Sequence, residues 1–138
     1  MRSAAIALLP VAVLMAAPAS AYELQRCRPP AGVSEFLKLS DAPGEIRQSL
    51  KKRAGDIVNP GEPFDATDVV THGAHFWRLV FIWHRGSRWV VATEHGGIAY
   101  GNPIFAFDLR EDGQPIETEF DAIPRTLCET AIAAIDGS

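Results

Sequence analysis

Two apolar runs that flank a short polar turn dominate the pattern of this chain. Residues 76–84 read FWRLVFIWH and residues 89–93 read WVVAT, with the turn RGSR at 85–88 between them. Glycine is favoured where a tight turn requires positive φ, so the pattern predicts a hairpin with Gly86 and Ser87 as its loop. This register pairs His84 with Trp89, Trp83 with Val90, Phe81 with Ala92, and Arg78 with His95.

Both faces of this hairpin carry apolar side chains, because successive side chains of a strand point to opposite faces. One face is predicted to carry Trp77, Leu79, Phe81, Trp83, Val90 and Ala92. The other is predicted to carry Phe76, Val80, Ile82 and Val91. A hairpin of this kind is central in its sheet and needs cover on both sides, at least in part.

A second hairpin follows. Residues 104–109 and 116–120 alternate apolar and polar positions around Asp112-Gly113, a strong hairpin signal. The register set by this turn pairs Leu109 with Ile116, Phe107 with Thr118, and Phe105 with Phe120. It also places Asp108 opposite Glu117.

Helices are predicted on either side of these strands. Asp41 and Pro43 begin the first, whose thin apolar stripe is Ile46 and Leu50, and Gly55 ends it. Pro124 opens the last helix and Gly137 closes it. Its apolar side comprises Leu127, Ala131, Ala134 and Ile135. Ser34 is a possible cap of a short helical turn, and residues 69–71 a possible short strand.

The fold class that results is α+β. We predict an antiparallel β-meander of four to five strands, with an N-terminal and a C-terminal helix packed on one face. The segment 56–68 is the longest irregular stretch. A loop of this length in a small domain is either functional or pinned by its apolar residues.

The N-terminus has the features of a secretory signal peptide. Arg2 precedes an uncharged apolar run, and Ala19-Ser20-Ala21 provides a cleavage site. We therefore expect a cleaved signal at 1–21 and a single small domain at 22–138. No cysteine follows the cleavage point directly, and the apolar run is short for a membrane span, so a soluble periplasmic or secreted protein without stable membrane insertion is predicted.

Two cysteines remain in the mature chain, Cys27 and Cys128. An even pair in an exported protein indicates a disulfide. Without Arg2, 12 basic residues stand against 17 acidic ones, a net charge of −5. A nucleic-acid partner would require a basic face, so none is expected.

The sequence contains no catalytic or cofactor motif. The histidines lack the spacing of a metal site; His72 and His75 flank a turn and could approach Asp65 or Asp68. No nucleophile motif and no phosphate-binding glycine loop occurs. Asp108 opposite Glu117 could pair carboxylates, although a solvated strand edge is the simpler interpretation. No metal or cofactor is predicted, and catalysis is not indicated.

The best binding candidate is the break between the two hairpins. Three glycines and a proline interrupt the strand pattern at 96–103, and Tyr100 is a large amphipathic side chain of the kind common at interfaces. The alternative is a β-bulge in which Tyr100 packs inward. The predicted binding residues are Trp89, His95, Gly96, Gly97, Tyr100 and Asn102.

Gly97-Ile98-Ala99-Tyr100 resembles the Ser-Gly-x-x-Tyr loop of bacterial periplasmic inhibitors of C-type lysozyme. Gly96 stands in place of the serine, and that family is an all-β barrel, whereas two helices are predicted here. The resemblance implies enzyme inhibition as one possible function and no membership of the family.

The function predicted from the sequence is binding of another envelope or periplasmic protein, in the manner of an inhibitor or immunity protein. The contact is predicted to be the 96–102 loop together with an aromatic face of the central hairpin left uncovered by the helices. One alternative is a small-molecule binder or hydrolase with a pocket between the 56–68 loop and the sheet. A structural envelope protein is the other.

Overall fold

The computed structural model describes residues 26–67 and 72–138. The elements in this part of the chain are β1 (Ser34–Phe36), a 3-10 helix (Leu39–Asp41), α1 (Gly44–Ala54), β2 (Ile57–Val58), β3 (Trp77–Arg85), β4 (Arg88–His95), β5 (Ile104–Leu109), β6 (Pro115–Phe120) and α2 (Leu127–Asp136). The predicted signal peptide and the predicted strand at 69–71 lie outside it. No helix within the described ranges is long and apolar enough to cross a membrane.

The strands form one sheet that is antiparallel except at one edge. Five of them follow in the order β1-β3-β4-β5-β6, each antiparallel to its neighbour. The two-residue β2 pairs with β3 in parallel, on the same edge as β1. The α+β class and the antiparallel sheet are therefore confirmed, and β2 takes the sheet beyond the predicted four to five strands.

The two helices cover opposite faces of the sheet. The core under α1 is formed by Ile46, Leu50, Leu79, Ile82, Val91, Phe105 and Phe107. The core under α2 is formed by Phe81, Trp83, Val90, Ala106, Leu127, Ala131 and Ala134. Since Ile82 and Trp83 are neighbours on one strand, they point to opposite faces. The expectation of both helices on one face was wrong, because a hairpin that is apolar on both faces needs a cover on each.

A β-bulge at Val80 changes which side chains of β3 share a face. The predicted register holds from the turn to Phe81 and then shifts by one residue. Arg78 consequently faces Glu94 rather than the predicted His95. The bulge divides the large apolar side chains of β3 between the two cores, with Trp77 and Leu79 on the α1 side and Phe81 and Trp83 on the α2 side.

The register between β5 and β6 also differs by one residue from the predicted one. Phe107 faces Glu117, not Thr118. Gly113 has a φ of +76° and its N–H donates to the Arg110 carbonyl at 3.0 Å, so the connection is longer than a two-residue turn. The shift moves Glu117 from the predicted wet face to the α1 side of the sheet.

The N-terminal arm is fixed by a disulfide and by strand pairing. Cys27 and Cys128 are bonded, with their Cα atoms 5.2 Å apart, as predicted. Residues from Ser34 form strand β1, not the helical turn considered from the sequence. As a strand, β1 forms backbone hydrogen bonds with the edge of β3, whereas an isolated helical turn leaves most of its backbone groups without a protein partner.

Candidate functional site

The segment after β4 is a closed loop whose two ends meet in a β-bridge. The His95 N–H donates to the Gly101 carbonyl at 2.9 Å, and the Gly101 N–H donates back at 3.1 Å. Residues 96–100 therefore leave and rejoin the sheet at one point. Gly97 has a φ of +93°, a conformation that residues with side chains rarely adopt. The break in the sequence pattern is thus a defined loop.

A buried carboxylate holds this loop from below. Glu94 is 2% exposed and forms an ion pair with the Nε and Nη2 groups of Arg78. Its other oxygen accepts a hydrogen bond from the Tyr100 hydroxyl at 2.7 Å. The Arg78 guanidinium lies over the Phe64 ring, 4.6 Å from its centroid. Because a buried carboxylate is costly without partners, these contacts fix Glu94 and, through it, the loop.

Tyr100 is half-buried, with its hydroxyl directed at Glu94. Of the two orientations considered from the sequence, this is the inward one. The phenol therefore acts first as an anchor of the loop. Any contact that it makes with a partner uses only the exposed part of the ring.

Gly96 is required by the close approach of a second loop. A Cβ atom at this position would lie 2.0 Å from the Asp65 carbonyl oxygen and 2.9 Å from the Ala66 Cα. Both are backbone atoms, so neither can rotate out of the way. The Asp65 N–H in turn donates to the His75 carbonyl at 2.9 Å. The long irregular segment before β3 thus supports the 96–100 loop through direct contact between the two backbones.

Ile98 stands at the tip of the loop with 90% of its surface exposed. Among the described residues, the next most exposed large apolar side chain is Ile116 of β6, at 52%. A single exposed isoleucine is ordinary on a protein surface; its place on a braced loop is what distinguishes this one. The sequence prediction omitted Ile98, although a β-branched apolar residue between two glycine-containing breaks was a visible signal.

His95 and Asn102 lie at the base of the loop. The His95 imidazole packs on Trp77, with ring centroids 4.4 Å apart. Asn102 is fully buried; its Nδ2 group donates to the Thr93 carbonyl at 3.2 Å, and its backbone N–H donates to the Ala122 carbonyl at 2.8 Å. Asn102 therefore joins β4 to the segment before α2 and presents no surface to a partner.

Trp89 is separated from the other predicted binding residues. It lies six positions before His95 on β4, which is about 20 Å along a strand. Its ring stacks on His84 at 4.0 Å and on Phe36 at 5.9 Å, at the margin of the α1 core. On the α1 side of the central strands, Trp89 and Phe36 are half-buried, whereas the other large side chains are fully buried: Ile82, Val91, Phe105 and Phe107.

A groove beside the loop contains two of the histidines. His75, His95, Trp77 and Asp56 line a volume of about 490 Å³. A hydrogen bond and the positive charge of Lys51 hold the pKa of the Asp56 carboxyl below its usual value. The imidazoles of His75 and His95 make no side-chain hydrogen bond to any described residue, and both are accessible from the groove.

Metal ligands do not converge at this groove. Within residues 26–67 and 72–138, no three His, Cys, Asp or Glu side chains are placed to hold a metal ion. The pocket considered from the sequence, with His72, His75 and Asp68, includes a residue outside the described ranges.

The predicted opposition of Asp108 and Glu117 was wrong. Asp108 forms an ion pair with Arg88 of β4, whereas Glu117 and Glu119 contact Arg53 of α1. The hydrogen bond from Arg53 to Glu119 raises the pKa of the guanidinium. Each carboxylate therefore has a cationic partner, and the arrangement is that of a helix bound to a strand rather than an acid–base pair.

No protein-family model, no curated protein and no solved structure matches this chain.

Proposed function

We propose that this is an exported, non-catalytic protein that binds another protein of the cell envelope through the 96–102 loop, as an inhibitor or immunity protein does. The observation that carries the proposal is the exposure of Ile98 at the tip of a loop held at both ends. The partner it implies has an apolar pocket that accepts a branched aliphatic side chain.

The bracing of the loop favours binding energetically. Fixing a flexible loop on association reduces affinity, and a loop that is rigid beforehand avoids most of that cost. Full burial of an isoleucine side chain contributes about 1.5–3 kcal/mol. The bridge between His95 and Gly101, together with the Tyr100–Glu94 hydrogen bond, therefore lets one side chain contribute strongly to affinity.

Export is supported by the cysteines as well as by the predicted signal peptide. The Cys27–Cys128 bond joins residues 101 positions apart. Disulfides of this kind persist in oxidising compartments such as the periplasm and the exterior of the cell. The net charge of −5 for the mature chain favours a protein partner over nucleic acid.

The proposal is tested by a pair of isoleucine substitutions. Tagged wild type, Ile98→Ser and the control Ile116→Ser are expressed with the signal peptide, and co-purifying proteins are quantified by mass spectrometry. Because the proposed contact buries Ile98 in the partner, Ile98→Ser is expected to lower recovery of the partner by about tenfold or more, whereas Ile116→Ser leaves it unchanged. Equal recovery with Ile98→Ser and wild type would rule out the loop as the contact.

A further inference from the structure

The outer edge of β3 is uncovered in the middle. β1 pairs with β3 at residues 82–84 and β2 pairs with it at residues 77–78. Residues 79–81, which include the bulge, have neither strand beside them. Bulges are frequent at sheet edges and next to binding sites, where they redirect side chains. This gap is therefore a candidate ligand site.

A cavity of about 200 Å³ occupies the gap. Its apolar lining includes Leu37, Val80 and Phe81, and Pro60 and Gly61 of the preceding loop line it as well. The cavity thus lies between the 56–68 loop and the sheet, where the sequence predicted a small-molecule pocket as an alternative function. No residue of the 96–102 loop lines it, so the cavity lies apart from the proposed protein contact.

Two groups of opposite charge that line this cavity have polar atoms without a hydrogen-bond partner among the described residues. Arg26 forms no hydrogen bond or ion pair with any described residue. Glu35 accepts a hydrogen bond from Trp83 Nε1 at 3.0 Å through one oxygen, and its other oxygen, Oε1, accepts none from the described residues. Arg78 also lines the cavity, but its charge is balanced by the ion pair with Glu94. The available pair is therefore one guanidinium and one carboxylate.

We propose that this cavity binds a free apolar α-amino acid. The ligand carboxylate pairs with Arg26, its ammonium group pairs with Glu35 Oε1, and its side chain lies on Val80 and Phe81. A ligand with a single charge would leave either the guanidinium or the carboxylate unmatched, whereas a zwitterion satisfies both. The volume suits a molecule of about ten non-hydrogen atoms, since a cavity of about 150 Å³ accommodates benzene.

The ligand class is tested with three probes of similar shape. Leucine carries both charges, 4-methylpentanoate lacks the ammonium group, and 3-methylbutylamine lacks the carboxylate. Binding to the mature, disulfide-bonded protein is followed by calorimetry and by the backbone amide shifts of residues 79–81. Each charge-assisted contact is expected to strengthen binding by about tenfold or more, so leucine binds at least that much more tightly than either of the other probes.

Two substitutions assign the charged groups. Arg26→Gln is expected to weaken leucine binding by about tenfold and to leave 3-methylbutylamine binding unchanged. Glu35→Gln keeps a hydrogen-bond acceptor for the Trp83 indole. It is expected to weaken leucine binding to a similar extent and to leave 4-methylpentanoate binding unchanged. Both side chains lie at exposed positions, and unchanged unfolding temperatures confirm that the variants are folded. The proposal is overturned if millimolar leucine leaves the 79–81 amides unshifted, if all three probes bind equally, or if neither variant weakens leucine binding.

Discussion

Substitution of Gly96 by alanine tests whether the brace beneath the loop is as close as the structure indicates. The new Cβ atom would lie 2.0 Å from the Asp65 carbonyl oxygen. Contacts below 3.0 Å are essentially never seen for a Cβ atom, so the two backbones must separate by about 1 Å. Gly96 does not have positive φ, and the cost is therefore steric. Overpacking of this kind lowers the free energy of unfolding by about 1–3 kcal/mol.

The assay is urea unfolding monitored by tryptophan fluorescence, with hydrogen exchange of the loop amides as a second readout. In a thermal melt, a loss of 1 kcal/mol in the free energy of unfolding would lower Tm by about 4 °C for a domain of this size. The amides of residues 97–101 are expected to exchange faster than in the wild type. Gly44→Ala is the matched control, since its Cβ would meet only Arg47 Nη2 at 3.8 Å. Wild-type stability and loop exchange in Gly96→Ala would refute the reasoning.

Three further predictions concern the disulfide, the Tyr100 anchor and one exposed ion pair. Replacing Cys27 and Cys128 by alanine removes a cross-link over 101 positions and should lower the free energy of unfolding by about 4–5 kcal/mol; an unchanged urea midpoint would contradict this. Tyr100→Phe deletes a hydrogen bond to a buried carboxylate and should cost about 1.5 kcal/mol in the same assay, and a cost near zero would show that the hydroxyl does not anchor the loop. Because the pKa of Asp56 is lowered, its contribution to stability is present above the ordinary carboxyl pKa and is lost as the pH falls through the lowered one. An NMR titration of this carboxyl should show the pKa returning to its ordinary value in Lys51→Ala, and an identical titration in both proteins would exclude Lys51 as the cause.

Local signals in the sequence were sufficient for the central hairpin and the helix ends. Gly86 has a φ of +62° in the loop that its sequence predicts, so the register near the turn was correct. Gly55 and Gly137, predicted to end the two helices, both have positive φ beside α1 and α2. These features depend on one or two residues whose backbone preferences are strong.

Local turn signals could not predict the pairing of β3 with β4 beyond the bulge or the pairing of β5 with β6. Nearly every residue of β3 around Val80 is apolar, so a bulge that inserts one residue leaves no mark in the alternation. In the second hairpin, Gly113 adopts positive φ at the end of a longer turn, which Asp112-Gly113 alone does not reveal. A shift of one residue reverses every face beyond it, and this placed Glu117 on the wrong side.

The break in the strand pattern after β4 could be predicted from the sequence, but the contacts that hold the loop could not. The glycines at 96 and 97 marked the loop because they interrupt a strand pattern. The support from Glu94 and Arg78 was hidden, since a register without the bulge places His95 instead of Glu94 opposite Arg78. The contact of Gly96 with Asp65 joins segments about 30 positions apart, and no local pattern encodes it.

Site-specific photo-crosslinking in the exporting cell tests the central claim most directly. A photoreactive amino acid is placed at position 98, at the tip of the loop, or, as a control, at position 116 on β6, where the native isoleucine is 52% exposed. We expect one discrete cross-linked species from position 98 that is absent from position 116 and diminished when Gly96→Ala is added. Absence of any adduct from position 98, or the same adducts from both positions, would contradict it.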